Sequence, residues 1–132
     1  MMRRGFSSHN RGQALLEFAL ILPLLLLLLL GIAEFAMAVL AYNTLADAVR
    51  QGARYGITHP ADTAAIEAVA RDATDWLDQD ALTFTIVLNS TADMLSVTAD
   101  YDLHLITSVI IEAVGGNPTL HLRAVSTMRI ES

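Results

Sequence analysis

The chain has 132 residues, 54% of them hydrophobic and 17% charged, with a formal net charge of -6; this leaves room for one small domain at most beside any membrane segment. It contains no cysteine, which excludes a disulfide framework, a thiol nucleophile and a cysteine-held zinc. All eight basic residues are arginine, and an acidic chain without a basic stripe is not built to hold nucleic acid.

Arg3, Arg4 and Arg11 form a basic leader without an intervening acid, and from Phe18 to Tyr42 the chain reads FALILPLLLLLLLGIAEFAMAVLAY. This run is interrupted only by Glu34, and it exceeds the roughly 20 residues that a helix needs to cross a bilayer core. The positive-inside rule puts the N-terminus in the cytoplasm and the acidic remainder across the membrane. A cleaved secretory signal is the competing reading, with Ala36-Met37-Ala38 imitating its A-x-A site, but an h-region is typically ~7–15 residues long. Pro23 and Gly31 weaken the helical ladder in a way that membrane helices tolerate, either as an ordinary kink or in a helix built to bend on leaving the bilayer.

Gly12-Gln13-Ala14-Leu15-Leu16-Glu17-Phe18 stands where the basic leader meets the apolar run. It resembles the class III signal of type IV prepilins, which a prepilin peptidase cuts after the glycine while the apolar helix stays attached. The resemblance implies cleavage between Gly12 and Gln13 and makes Glu17 the fifth mature residue, the acid that the family needs for assembly. The reading from the residues alone is an acid at a helix N-terminus, where negative charge favours the macrodipole.

GQALLEFALILPLLLLLLLGIAEFAMAV followed by ADAVRQGARYG, roughly residues 12–56, is similar to the TadE-like minor pseudopilins of tight-adherence (Flp) pili. Major Flp pilins are much shorter, so the additional C-terminal domain favours a minor pseudopilin; the TadF-like sister group is the near alternative. The resemblance implies as partners a prepilin peptidase, other Flp-type pilins or pseudopilins, an inner-membrane pilus assembly platform and the lipid bilayer. It implies no cofactor. The expected organisation is a leader over 1–12, a transmembrane helix over 13–42 and an extracytoplasmic α+β domain over 43–132.

Beyond the membrane the helix should continue, with Phe35, Val39, Tyr42, Leu45, Val49 and Ala53 on one face and Asn43, Asp47, Arg50 and Arg54 on the other, until Gly56 and Pro60 end it. Asp47 supports Arg50 at i+3, and the two arginines are either a solvated face or, from their match to the family's R-x-GARY ending, a contact with a partner. Asp62 can cap a second helix running to about Leu77, with Ala65, Val69, Ala73 and Trp76 or Leu77 buried.

Three alternating segments then predict an antiparallel sheet. Phe84, Ile86 and Leu88 share one face; so do Leu95, Val97, Ala99, Tyr101 and Leu103; so do Leu120, Leu122, Ala124, Met128 and Ile130, with a turn at residues 89–93. Ile106, Val109, Ile110, Ala113 and Val114 fit a short helix stopped by Gly115-Gly116-Asn117-Pro118, too short to span a bilayer. Core packing is its expected role, with a membrane-interface or subunit contact as the alternative.

Asp72, Asp75, Asp78 and Asp80 crowd the end of the second helix as a solvated acidic end, or as a place for a cation such as calcium, although the spacing is not that of an EF-hand. His59, His104 and His121 lack metal-ligand spacing, and no nucleophile motif is present. The sequence therefore reads as a non-enzymatic pilus assembly component, with Gly12 and Gln13 as processing site and Glu17, Phe18, Glu34, Arg50 and Arg54 as assembly residues. The alternative is a tethered or secreted extracytoplasmic binding module that does not polymerise.

Overall fold

The structure, a computed structural model, describes residues 9–130, so residues 1–8 of the expected leader lie outside the described residues. The chain divides into two compact units, Met1–Ala33 and Glu34–Ser132. The helix α1 (His9–Thr58) contributes to both and retains Pro23 inside it.

In the first unit every described residue from Asn10 to Ala33 is exposed except the half-buried Leu30. It includes twelve large apolar side chains from Leu15 to Leu29 that are 38–71% exposed. Fully burying one such side chain is worth about 1.5–3 kcal/mol, so a surface of this size demands an apolar surrounding. Among the described residues α1 is the one helix long and apolar enough to cross a membrane, and its most apolar stretch is wholly unburied by protein.

The second unit is an α+β domain. Its elements in chain order are the later part of α1, α2 (Thr63–Asp72), a 3₁₀ turn (Gln79–Ala81), β1 (Leu82–Asn89), β2 (Met94–His104), α3 (Ser108–Ala113) and β3 (Thr119–Arg129). The strands form one antiparallel sheet in the order β1-β2-β3. Their register puts Phe84 opposite Ala99, Ile86 opposite Val97 and Leu88 opposite Leu95. On the other side of β2, Leu95 faces Met128, Ala99 faces Ala124 and Tyr101 faces Leu122. The predicted alternation thus sets one apolar face inward. The turn is closed by Asn89, whose Oδ1 accepts from the amides of Thr91 (3.1 Å) and Ala92 (3.2 Å).

Leu45, Val49, Ile66, Leu95 and Val97 are the largest apolar side chains at the centre of the core. The α1 stripe that meets them is Ala38, Ala41, Leu45, Ala48, Val49, Gly52, Ala53 and Gly56, spaced at threes and fours as one helical face requires. It differs from the predicted face. Phe35, Val39 and Tyr42 are 72%, 44% and 48% exposed, because close packing on this side selects small residues rather than the largest apolar ones. Gly56 does not end the helix either: it lies buried within α1, which continues to Thr58.

Asp62 caps α2 as expected, its Oδ1 accepting from the Ala65 amide at 3.0 Å. The helix stops at Asp72 rather than near Leu77. There the Thr74 amide bonds back to Arg71 O, and Gln79 Nε2 donates to the carbonyls of Thr74 (2.7 Å) and Leu77 (3.2 Å), satisfying the end in a turn. Leu77 is buried, as one of the two expected alternatives, while Trp76 is 46% exposed; before it the fully buried positions are Ile66, Ala70 and Thr74 instead of Ala65, Val69 and Ala73. The stripe is displaced by one residue because Ile66 and Ala70 fill the notches left by Gly52 and Gly56.

The outward face of the sheet is polar. Arg123 Nε donates to Asp100 Oδ1 at 2.6 Å, and His121 pairs with Asp102; both are directly opposed across β2 and β3. The hydrogen bond and charge of Asp100 raise the already high pKa of Arg123. Exposed pairs of this kind align strands more than they stabilise them.

Candidate functional site

Gly12, Gln13, Glu17 and Phe18 all lie on the first turns of α1 and are exposed. A β-carbon added at Gly12 would meet nothing within 4 Å. Gln13 and Glu17 are one turn apart on the same helical face. Glu17 takes part in none of the ion pairs among the described residues.

Glu34 is different. It stands four residues before Ala38, on the same small-residue stripe, so its side chain is directed to the face that carries the sheet domain. There its carboxylate accepts two hydrogen bonds from Thr107, one from the backbone amide at 2.6 Å and one from the hydroxyl at 2.8 Å. The contact joins residues 73 positions apart and ties α1 to the residue immediately before α3. Glu34 and Met37 also line a small pocket with Leu103, His104, Leu105 and Ile106. Thr107 was not among the residues singled out from the sequence. The available signal was the spacing of Glu34 from Ala38, Ala41 and Leu45, which marks an acid that must find a polar partner on a packed face.

The α3 segment is exposed rather than part of the core. Ile106, Val109, Ile110 and Val114 are 72%, 76%, 47% and 82% exposed, and of the apolar side chains within α3 only Ile111 is half-buried. The core is already closed between α1, α2 and the sheet, so no apolar face is left for α3 to cover. The predicted stop is present. Gly115 has φ +79°, its amide donates to Glu112 O and that of Gly116 to Ile111 O, the paired bonds of a Schellman termination.

Arg50 and Arg54 are exposed on the side of α1 away from the stripe. Arg50 pairs with Asp47 at 3.2 Å, both side chains about two-thirds exposed; Arg54 makes no ion pair among the described residues. Sixteen residues separate Glu34 from Arg50, about 24 Å of helix, so these groups do not form one constellation. Near the acidic segment Arg71 is the organising group, donating to Glu67 Oε1 (2.9 Å) and Gln79 Oε1 (3.2 Å) and lying 5.5 Å from the centre of the Phe84 ring. Asp78 caps the 3₁₀ turn. Among the described residues no group of three or more acidic or histidine side chains is placed to hold a metal.

These features define an α+β protein with a single N-terminal helix suited to anchor it in a membrane, with Gly12, Gln13, Glu17 and Phe18 exposed on its first turns. Residues 12–54, about a third of the chain, match the family model of TadE-like proteins, in agreement with the resemblance carried by the motifs. The matched span begins at Gly12 and contains every one of the candidate site residues through Arg54. No curated protein and no solved structure matches the chain.

Proposed function

We propose that this chain is a minor pseudopilin of a Flp-type tight-adherence pilus, a non-enzymatic assembly component held in the cytoplasmic membrane. In this reading the N-terminus is cytoplasmic and the sheet domain extracytoplasmic, as the arginines of the leader favour. A prepilin peptidase removes residues 1–12, and the mature chain joins other pilins at an inner-membrane assembly platform. The observation that carries it is the TadE-like match opening at Gly12, where the basic leader ends, and running through Glu17 and the whole apolar run.

The geometry supports a division of labour along α1. Gly12 and Gln13 are open to a peptidase, and Glu17 is free to meet the amine of a neighbouring subunit. Phe18 contributes to the apolar surface against which other helices pack. Arg50 and Arg54 present charge to partners. Glu34 acts within its own subunit, by fixing α3 through Thr107, and influences assembly through that element.

Mass spectrometry of the chain purified from membranes of a host that carries the peptidase tests the reading. A mature N-terminus at Gln13 with the apolar helix retained is the expected result. An N-terminus at Val39 would make the protein a secreted soluble domain and end the pilin reading.

A further inference from the structure

We propose that the tip of the sheet domain, Leu105–Pro118, dips into the outward-facing leaflet of the bilayer that holds α1, with lipid as the partner of α3. The proposal rests on the membrane-anchored reading given above and adds a second point of membrane contact to it.

Its first support is position. Glu34 belongs to the apolar run Phe18–Tyr42, eight residues before its end, which is about 12 Å of helix. Through Thr107 it holds the start of α3 at that level. The α1 residues that follow, Phe35, Met37, Val39, Leu40 and Tyr42, are 44–72% exposed. The exposed residues of α3 therefore extend an apolar surface that already requires lipid.

The second support is the pattern of α3 itself. At 3.6 residues per turn Val109, Ile110, Ala113 and the C-cap residue Val114 fall within an arc of about 140°. Glu112, the sole charged residue from Leu105 to Pro118, lies outside that arc on the side of Ser108. A short helix with one apolar face rests in the boundary between headgroups and acyl chains, its apolar face buried by about 5–10 Å.

The third is polar satisfaction. Backbone groups that enter lipid must find partners within the protein. Here Glu34 takes the Thr107 amide, Leu105 N donates to Pro118 O across the base of the tip, and the two glycine amides close the C-terminal end of α3. The ordering of a loop through a carboxylate 73 residues distant has a purpose if the loop must keep its shape in a low-dielectric surrounding.

The chain has no cysteine, so single labels can be introduced without background. Val109→Cys, Val114→Cys and, as a control on the outer face of β1, Thr85→Cys would each carry an environment-sensitive fluorophore in the full chain. The chains are reconstituted in phosphatidylcholine–phosphatidylglycerol vesicles containing lipid with a nitroxide high on its acyl chain. Several-fold stronger quenching at 109 and 114 than at 85, unchanged when the protein is diluted with further lipid, is the expected result. Labels at 109 and 114 quenched no more than the control would overturn the proposal. So would a spectral shift at these positions that fades on dilution, because it would identify a second copy of the chain as the cover. Alkaline carbonate extraction of the same vesicles reads anchoring by α1 separately: a chain that stays with the vesicles while its α3 labels remain unquenched defeats the tip alone, whereas a chain that is released defeats the anchor.

Discussion

Gly56 of α1 and Leu95 of β2 are in such close contact that a β-carbon at residue 56 would overlap the Leu95 Cδ2 methyl and come within 2.9 Å of Ile66 Cδ1. Leu95 and Ile66 are both fully buried, so neither side chain can turn away into solvent. Overpacking of this kind costs ~1–3 kcal/mol, against ~0.5–1 kcal/mol that alanine returns in helix propensity. Gly56→Ala is therefore expected to lower stability by roughly 1–2 kcal/mol. At Gly52 the nearest atom is Ala70 Cβ at 3.2 Å, and Gly52→Ala should change stability by less than about 0.5 kcal/mol as the two effects offset each other. Thermal denaturation of both variants in detergent micelles checks the ordering; equal melting temperatures would contradict the packing described.

The Glu34–Thr107 link should be measurable as a coupling. Glu34→Gln removes the charge and leaves one acceptor oxygen for two donors, while Thr107→Val removes one of those donors. Hydrogen bonds to a charged group are worth ~1.5–3 kcal/mol, and the partial exposure of Glu34 puts the expectation at the lower end. A double-mutant cycle on the stability of the domain should give a coupling of about 1–1.5 kcal/mol. Additive single mutants would show that the Glu34–Thr107 contact does not contribute to the stability of the domain.

Truncation separates the core from this link. A fragment beginning at Asn43 keeps Leu45, Val49, Ala53, Ile66, Leu95, Val97 and Ala124, and with them nearly all of the buried cluster. It should be soluble and give an α+β circular dichroism spectrum without lipid. A fragment beginning at Glu34 retains the Thr107 bonds but also the exposed Phe35, Val39 and Tyr42, and should need detergent. Hydrogen exchange at the Thr107 amide should be slow in the longer fragment and at least tenfold faster in the shorter, the loss of about 1.4 kcal/mol of protection that one such bond supplies. A disordered spectrum from the shorter fragment would show that the sheet depends on residues before Asn43.

Cleavage after Gly12 would place Glu17 four residues from a new amine at Gln13. A pair between this acid and the amine of a neighbouring subunit, formed at the edge of an apolar helix array, leaves an uncompensated charge if one member is removed, at about 3–5 kcal/mol when fully buried. Glu17→Gln should be inserted and cut normally but fail to join pilin assemblies. A mere dipole contribution at the helix start would cost only ~0.3–1 kcal/mol and leave assembly near normal. Electron microscopy of piliation decides between them, with mass spectrometry of the same samples to exclude cyclisation of Gln13, which would also erase the amine charge.

Much of this protein is legible along the chain because the relevant patterns are short. The alternation from Phe84 to Ile130 yields three strands and their inward face, since a strand repeats every two residues and a slip by one would turn its apolar side outward. Asp62 before Thr63 yields a cap, and Gly115 at φ +79° yields a stop. The apolar run yields an anchor, and the residues from Gly12 to Arg54 carry the family resemblance without reference to the fold.

The tertiary structure decided which of several apolar faces would be covered. On α1 the sequence offers Phe35, Val39 and Tyr42 beside Ala38 and Ala41, and the smaller set is buried because α2 and the sheet approach the helix closely. The same approach shifts the covered stripe of α2 to Ile66 and Ala70 and makes Gly56 a packing residue instead of a terminus. It also brings Thr107 to Glu34 and leaves α3 outside the core. Local periodicity specifies an element and its candidate faces; the choice among them depends on volumes and polar partners that meet only when distant segments pack.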